Sequence, residues 1–247
     1  MKTVLEVNSL EKRYRERVVL DGLTLRVDEG DIYGFLGPNG AGKTTAIRAI
    51  LGLIHFEKGD VIINGYNMRK DFRNGIRMVG AMVETPQFHD KHSGIWNLRM
   101  MAKFYDGISE KRIEETLEIV GMKTRAKDKV STYSLGMKQR LGIAGALLHH
   151  PSLVILDEPT NGLDPKGMKE VREIIKHLSI EQNIAFFISS HLLNEVESLC
   201  NKIGIIKGGR IIKELTSENI PIKYAIPKNK SLEEYFLELT KGGGQIE

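Results

Sequence analysis

Nine consecutive residues near the start of the chain have the types and spacing of a phosphate-binding loop. They are Gly37, Pro38, Asn39, Gly40, Ala41, Gly42, Lys43, Thr44 and Thr45. Glycines let the backbone approach phosphate oxygens, because a Cβ would block that approach. We expect Lys43 to reach the β- and γ-phosphates and the Thr44 hydroxyl to ligate Mg²⁺. An apolar run precedes the loop and apolar residues at helical spacing follow it, so the segment predicts binding of a nucleoside triphosphate.

Two carboxylates follow another apolar run, at residues 153–156. A buried strand here would end at the carboxyl edge of a parallel sheet, beside the phosphate loop. Asp157 could hold Mg²⁺ at that edge, and Glu158 could orient or deprotonate an attacking water. Two acids after an apolar strand are also common at a solvated strand end. The phosphate loop upstream favours the catalytic interpretation.

A third candidate lies directly before an apolar-periodic helix that starts near residue 135. Ser134 and Gly136 stand where a helix N-terminus offers a hydroxyl, bare amides and a favourable dipole to a phosphate. Taken alone, this segment favours an ordinary serine N-cap.

The apolar pattern indicates which elements position these residues. Strand-like alternation dominates the first part of the chain, helical periodicity dominates about 85–150, and short strands alternate with helices after residue 151. Strands alternating with helices indicate a largely parallel sheet covered on both faces. We therefore predict an α/β fold of the P-loop NTPase class, with a mostly parallel sheet core, an inserted helical lobe and an N-terminal antiparallel β region.

The expected domain boundaries follow from the same pattern. The main domain spans 1–215 and carries the helical lobe at about 85–150. Residues 216–247 should hold a short C-terminal helix, which begins at a capping box formed by Ser231 and Glu234, and a flexible glycine-rich tail.

The composition argues against a nucleic-acid-binding, disulfide-bonded or membrane-spanning protein. The 247 residues are 41% hydrophobic and 28% charged, which suits one large domain with an ordinary soluble surface. The net charge of +4 is too small and too evenly spread to indicate a nucleic-acid partner. Cys200 is the only cysteine, so no internal disulfide can form. Neither a spanning segment nor a signal-peptide core is recognisable, and we expect a cytoplasmic protein that meets a membrane only through a partner.

In their order along the chain, these motifs resemble the nucleotide-binding domain of ATP-binding cassette (ABC) proteins, over about residues 4–215. Residues 133–137 resemble a degenerate L-S-G-G-Q signature that keeps Ser134 and Gly136. Asp164 ends a segment similar to the family's D-loop, and His191 matches its switch histidine. Tyr14 matches the aromatic that stacks on adenine, although it could also be an ordinary aromatic at a strand edge. His191 could likewise be a surface histidine that caps a helix.

The resemblance implies an ATPase that works as a head-to-tail homodimer with ATP and Mg²⁺ between the subunits. Each site would combine the phosphate loop, Asp157 and Glu158 of one subunit with Ser134 and Gly136 of the other. A second helix N-terminus would then cover the exposed side of the γ-phosphate. The helical lobe would grip a separate integral membrane (permease) subunit, which would hold the protein on the inner face of the cell membrane.

One position departs from the family pattern. The family usually places a glutamine after the strand that leads into the helical lobe, where it contacts Mg²⁺. Glu84 occupies that position here, and Gln87 is a competing candidate. A metal ion would offset the charge of a second carboxylate, so we predict that Glu84 lies near the metal. The alternative is a solvated glutamate at a strand end.

A glutamate at this position resembles the ABC branch that serves bacitracin and lantibiotic exporters. The expected function is therefore ATP hydrolysis that drives export of a peptide antibiotic or another drug-like substrate. The alternative is a soluble ABC ATPase of an assembly scaffold, such as iron–sulfur cluster assembly. A P-loop kinase would leave Ser134, Gly136 and His191 without a role.

Overall fold

The computed structural model describes residues 2–217 together with Glu234 and Phe236. Its strands are β1 (Thr3–Tyr14), β2 (Arg17–Asp28), β3 (Ile32–Leu36), β4 (Lys58–Ile63), β5 (Tyr66–Asn67), β6 (Val79–Met82), β7 (Leu153–Asp157), β8 (Ala185–Ser190), β9 (Lys202–Lys207) and β10 (Arg210–Thr216). Its α-helices are α1 (Lys43–Ile50), α2 (Phe72–Ile76), α3 (Gly94–Ala102), α4 (Glu110–Ile119), α5 (Leu135–Leu147), α6 (Pro165–Gln182) and α7 (Leu193–Leu199). Short 3-10 turns cover Lys123–Arg125 and Val130–Thr132.

The strands form two sheets. One is antiparallel in the order β2-β1-β4-β5, and the other has the order β10-β9-β3-β8-β7-β6. Within the larger sheet every pairing is parallel except that of β9 with β10. The predicted α/β class, with a mostly parallel core and an N-terminal antiparallel region, is confirmed.

The central strands are buried along their whole length, which explains their continuous apolar sequences. Every residue of β3, β7 and β8 is buried, as expected for parallel strands covered on both faces. On one side of the larger sheet, Phe35 and Phe187 pack together with ring centroids 5.1 Å apart. This packing fixes the strand ends, and the loops that leave those ends carry the candidate site.

The chain between β6 and β7 is helical, with α3, α4 and α5 packed against one another. Serine side chains cap the first two of these helices, because Ser93 accepts from the Trp96 N–H and Ser109 from the Arg112 N–H. Ile113 and Leu117 of α4 belong to the apolar cluster that these helices share with the sheet. The helices are therefore packed onto the core that positions the site.

The end of the chain is described only in part. Glu234 and Phe236 are helical, and Phe236 packs against the main apolar cluster. The rest of the predicted C-terminal helix, including Ser231, and the glycine tail lie outside the described residues. Cys200, which directly follows α7, is buried. Over the described ranges, no helix is both long and apolar enough to cross a bilayer.

Candidate nucleotide-binding site

The loop between β3 and α1 requires glycine at two positions for different reasons. Gly42, the N-cap of α1, has φ 107°, a region that other residues rarely adopt. A Cβ on Gly37 would lie 2.7 Å from the carbonyl oxygen of Ile206, closer than real Cβ contacts come. The loop therefore folds tightly over the end of β9 and leads its N–H groups into the first turn of α1.

Lys43 is the first residue of α1, and its side chain is only 7% exposed. Its Nζ donates to the carbonyl oxygen of Gly37 at 2.8 Å and lies 3.5 Å from Oε1 of Glu158. Bonds to the loop backbone hold the ammonium group close to the amides of the phosphate loop. A buried cation with few carboxylate neighbours is suited to an anionic ligand.

Thr44 and Asp157 meet although they come from different elements. The Thr44 hydroxyl donates to Oδ2 of Asp157 at 3.0 Å, and Oδ1 of Asp157 accepts from the Ser189 hydroxyl. Asp157 is only 5% exposed. Carboxylate and hydroxyl oxygens are donors that Mg²⁺ prefers, and it often binds through one or two carboxylates plus substrate phosphates. The two residues therefore fit that ion.

This oxygen pair does not form a metal centre by itself. Across the described part of the chain, no group of three or more His, Cys, Asp and Glu side chains is arranged to hold a metal ion. A cation at Thr44 and Asp157 would need further oxygens from a ligand or from water.

Glu158 leaves the end of β7 in a left-handed backbone conformation, with φ 51°. Its N–H contacts both the carbonyl and the hydroxyl oxygen of Ser189, at 3.2 and 3.0 Å. These bonds stabilise a conformation that is uncommon for a residue other than glycine. The carboxylate Oε2 then lies 2.7 Å from Nδ1 of His191. The structure thus brings together Lys43, Glu158 and His191.

An open cavity of about 650 Å³ lies over these residues. Of the predicted site residues, it is lined by Tyr14, Asn39, Gly40, Gly42, Lys43, Thr44, Thr45, Glu158 and His191. The Tyr14 ring is 48% exposed, and the Lys12 ammonium lies 5.0 Å from its centroid. Arg17 and Val19, which sequence reasoning missed, also line the cavity, as does Asn161, the first residue of the segment that resembles the D-loop. Tyr14 and the phosphate loop therefore border the same cavity.

The signature residues and Asp164 lie elsewhere. Ser134 caps α5 by accepting from the Met137 N–H at 3.3 Å, and Asp164 caps α6 by accepting from the Gly167 N–H at 2.9 Å. Neither residue lines the cavity, and Gly136 does not line it either. A Cβ on Gly136 would have its nearest neighbour at 3.8 Å, an ordinary contact. Packing within one chain therefore does not require glycine at this position.

Glu84 and Gln87 are also outside the cavity. Glu84 has φ 62°, and its side chain is 63% exposed and paired with Arg48 of α1. Gln87 is exposed, and its Nε2 donates to the carbonyl oxygen of Thr85 at 3.3 Å. Through Arg48, Glu84 therefore contacts α1, the helix that follows the phosphate loop.

Comparison with known proteins identifies the family. The sequence profile described as ABC transporter matches residues 20–161. The bacitracin transport ATP-binding protein BcrA of Bacillus licheniformis is 47% identical over 220 residues, which is 89% of this chain and 72% of that protein. The lantibiotic transport ATP-binding protein SrtF of Streptococcus pyogenes is 41% identical over 85% of this chain and 90% of that protein.

A solved structure described as the ATP-binding subunit of an ABC transporter has a TM-score of 0.81. It is 31% identical and covers 96% of this chain and 99% of its own. The resemblance to the bacitracin and lantibiotic branch is confirmed by these relatives, and the iron–sulfur scaffold alternative is not favoured by them. The chain thus belongs to the ABC transporter family, in which it is an ATP-binding subunit with ATPase activity.

Proposed function

We propose that this subunit hydrolyses ATP to drive export of a peptide antibiotic or another drug-like substrate through a separate membrane subunit. The observation that carries this proposal is the 47% identity to a protein named for bacitracin transport. The lantibiotic transport relative, at 41%, supports the same class of cargo. The subunit would work at the inner face of the cell membrane, held there by its permease.

In this proposal the phosphate loop and Lys43 bind the phosphates of ATP. The buried ammonium group forms charge-assisted hydrogen bonds with phosphate oxygens, and the loop N–H groups cradle them. Tyr14 stacks on the adenine ring at the other end of the cavity. Lys43 and Tyr14 line the same cavity, which supports this assignment.

Thr44 and Asp157 would hold the Mg²⁺ that accompanies the nucleotide. When bound, the ion would withdraw negative charge from the phosphate oxygens. The direct hydrogen bond between the two side chains supports a shared ligand, because their oxygens already converge. The Ser189 hydroxyl, bonded to the other oxygen of Asp157, fixes the orientation of that carboxylate.

Glu158 would orient the attacking water and accept its proton. A general base has to lie within hydrogen-bond reach of the proton that it removes. His191 contacts the Glu158 carboxylate at 2.7 Å and would hold it in that orientation. Asp164, on the segment that follows Glu158, would act at the boundary between two subunits.

The homodimer completes the site in this proposal. Ser134 and Gly136 of one subunit would cover the γ-phosphate bound by the other, since a helix N-terminus favours an anion. Packing within the chain does not require glycine at position 136. Close approach to a ligand would supply a different reason for a glycine there, which supports this arrangement. Ser134 is exposed at the start of α5 and available for such contact.

The permease would dock in an apolar groove between the sheet core and the helical segment. The groove has a volume of about 1010 Å³, and the wall residues include Leu53, Phe72, Val83, Phe104 and Tyr105. Phe104 is 88% exposed, which is costly for a large apolar side chain unless a partner covers it. Arg73 and Asp106 add charged groups to the same walls. A short amphipathic helix of a membrane subunit matches this surface.

The test is co-expression of the chain with a candidate multi-span membrane protein encoded beside its gene. We expect the two proteins to purify together and to raise the resistance of a sensitive host to bacitracin or a lantibiotic. The Glu158→Gln variant should purify with the partner but give no resistance. Purification with scaffold components, and no change in resistance, would contradict the proposal.

A further inference from the structure

A buried carboxylate connects the two loops that carry Glu158 and His191. Glu195, on α7, is only 7% exposed. Its Oε2 accepts from the Thr160 hydroxyl at 2.5 Å and from the Ser190 hydroxyl at 3.3 Å. Both hydroxyl residues are buried as well. We call Thr160, Ser190 and Glu195 the buried bridge.

The buried bridge spans the two segments whose side chains meet at the candidate active site. Thr160 follows Glu158 by two residues at the end of β7, and Ser190 directly precedes His191 at the end of β8. The 2.7 Å contact between Glu158 and His191 crosses the gap between these same segments. A change in the buried bridge would therefore move one of the two side chains relative to the other.

Within the described ranges, hydrogen bonds compensate only one of the two carboxylate oxygens of Glu195. Burying a carboxylate is costly unless hydrogen bonds compensate it. Oε1 of Glu195 is buried without a hydrogen-bond partner among the residues that the structure describes. An apolar side chain would avoid the cost of the unpaired oxygen, but it would leave the Thr160 and Ser190 hydroxyls without this acceptor. The two hydroxyl contacts are what a glutamate supplies and an apolar residue does not.

We propose that Glu195 is a positioning residue for ATP hydrolysis: it holds Thr160 and Ser190 together and thereby sets the spacing of Glu158 and His191. In the described part of the chain Glu195 bonds to Thr160 and Ser190 and to neither of those side chains, so it acts through the two loops. The inference rests on the proposed roles of Glu158 and His191.

The decisive comparison is between Glu195→Gln and Glu195→Ala. A glutamine oxygen can accept both hydroxyl bonds, whereas alanine accepts neither. Because small displacements of catalytic groups cost up to about 100-fold in rate, we expect Glu195→Ala to lower kcat about tenfold or more. KM for ATP should stay within about twofold, because the phosphate loop is unchanged, and Glu195→Gln should restore kcat. Glu195→Leu, which fills the space, should behave as Glu195→Ala does and covers the case in which the alanine variant fails to fold.

A double substitution separates positioning from general destabilisation. If Glu195 acts through the contact of Glu158 with His191, adding Glu195→Ala to His191→Ala should change kcat by less than about twofold. If the two substitutions lower kcat by independent factors that multiply in the double variant, the proposal is overturned. Equal impairment of Glu195→Gln and Glu195→Ala, or an unchanged kcat in Glu195→Ala, would also overturn it. Glu197→Ala, on the same helix and not buried, is the matched control and should keep the wild-type kcat.

The kcat of Glu158→Gln separates a failure of the catalytic role of Glu158 from a failure of the positioning role of Glu195. Glu158→Gln serves as the benchmark and should lose most of its turnover. A normal kcat in Glu158→Gln would overturn the catalytic assignment, and the positioning role with it. An inactive Glu158→Gln variant together with a fully active Glu195→Ala variant would overturn the positioning role alone.

Discussion

The hydroxyl of Thr44 donates a hydrogen bond to a carboxylate oxygen of Asp157 across 3.0 Å, although 113 positions separate them in the chain. The contact arises because α1 starts at the carboxyl end of β3, and β7 ends on the same edge of the parallel sheet. The strand between them, β8, supplies Ser189 to the other side of Asp157. Two oxygen groups therefore converge where the phosphate loop ends.

This convergence predicts that ATP affinity depends on Mg²⁺ through Thr44. In Thr44→Val, which keeps the shape but removes the hydroxyl, we expect the gain in affinity caused by Mg²⁺ to fall by about tenfold, a typical effect of disturbing a metal's ligand environment. Equilibrium binding of a fluorescent ATP analogue, with and without Mg²⁺, measures this gain. In the presence of a chelator the variant and the wild type should bind alike. An undiminished Mg²⁺ effect in the variant would remove Thr44 from the metal site.

The convergence of Thr44 and Asp157 was predictable because both residues lie in local motifs, and because parallel strands end at a common edge. Arg17 and Val19 line the same cavity but were not foreseen, and Asn161 was identified only as the start of the segment that resembles the D-loop. Arg17 faces Tyr14 across the turn between β1 and β2, a register that the sequence pattern does not determine.

Glu84 and Glu195 illustrate a different limit. The strand before Glu84 was predicted, yet the direction of its side chain depends on a left-handed backbone and on Arg48. Glu195 lies in a short helix, and nothing in its spacing distinguishes it from a solvated glutamate. Its role as an acceptor for two buried hydroxyls depends on how β7, β8 and α7 pack. Such contacts are tertiary, so no local pattern reports them.

The Glu158 carboxylate should control turnover without controlling binding. We expect Glu158→Gln to reduce kcat by at least about 100-fold, within the usual range for a positioned general base. ATP affinity should be retained, because the phosphate loop is intact, and the variant should accumulate as an ATP-bound dimer. Steady-state phosphate release and size-exclusion chromatography with ATP measure the two effects. Near-normal hydrolysis in this variant would exclude Glu158 as the base.

The Tyr14 ring should set the affinity for the base of the nucleotide. Stacking of a base on an aromatic ring contributes about 1–3 kcal/mol, so Tyr14→Ala should raise KM for ATP by about tenfold. Saturating ATP should restore kcat, because the phosphate end of the cavity is unchanged. Tyr14→Phe keeps the ring and serves as the control, with KM close to that of the wild type. Equal effects of alanine and phenylalanine would assign the role to the hydroxyl.

The exposed pair of Glu84 and Arg48 should matter for coupling more than for stability. Exposed ion pairs contribute at most about 1 kcal/mol, so Glu84→Gln should unfold at nearly the wild-type temperature. We expect the isolated subunit to keep most of its ATPase activity, whereas stimulation by the membrane subunit should change. The matched variant is Gln87→Ala. Transport that survives Glu84→Gln and Glu84→Ala but is lost in Gln87→Ala would assign the coupling role to Gln87.

Protonation of His149 should lower the stability of the protein at mildly acidic pH. The ring stacks on Tyr105 with centroids 4.2 Å apart, and its Nε2 lies 3.0 Å from the carbonyl oxygen of Val79. Burial lowers the pKa of His149 below its ordinary value of 6.5. In the unfolded chain the imidazole binds a proton more readily, so protonation favours unfolding. The contribution of His149 to stability is therefore present above pH 6.5 and is lost as the pH falls from there to the lowered pKa.

Chemical unfolding at pH 7.5 and 5.5 measures this dependence on His149. His149→Phe keeps an aromatic ring against Tyr105 but cannot be protonated. We expect the free energy of unfolding to fall less between the two pH values in this variant than in the wild type. His177→Phe, which replaces an exposed histidine, is the control and should keep the full wild-type dependence. An identical fall in the wild type and His149→Phe would show that the half-buried imidazole of His149 is not the group that titrates.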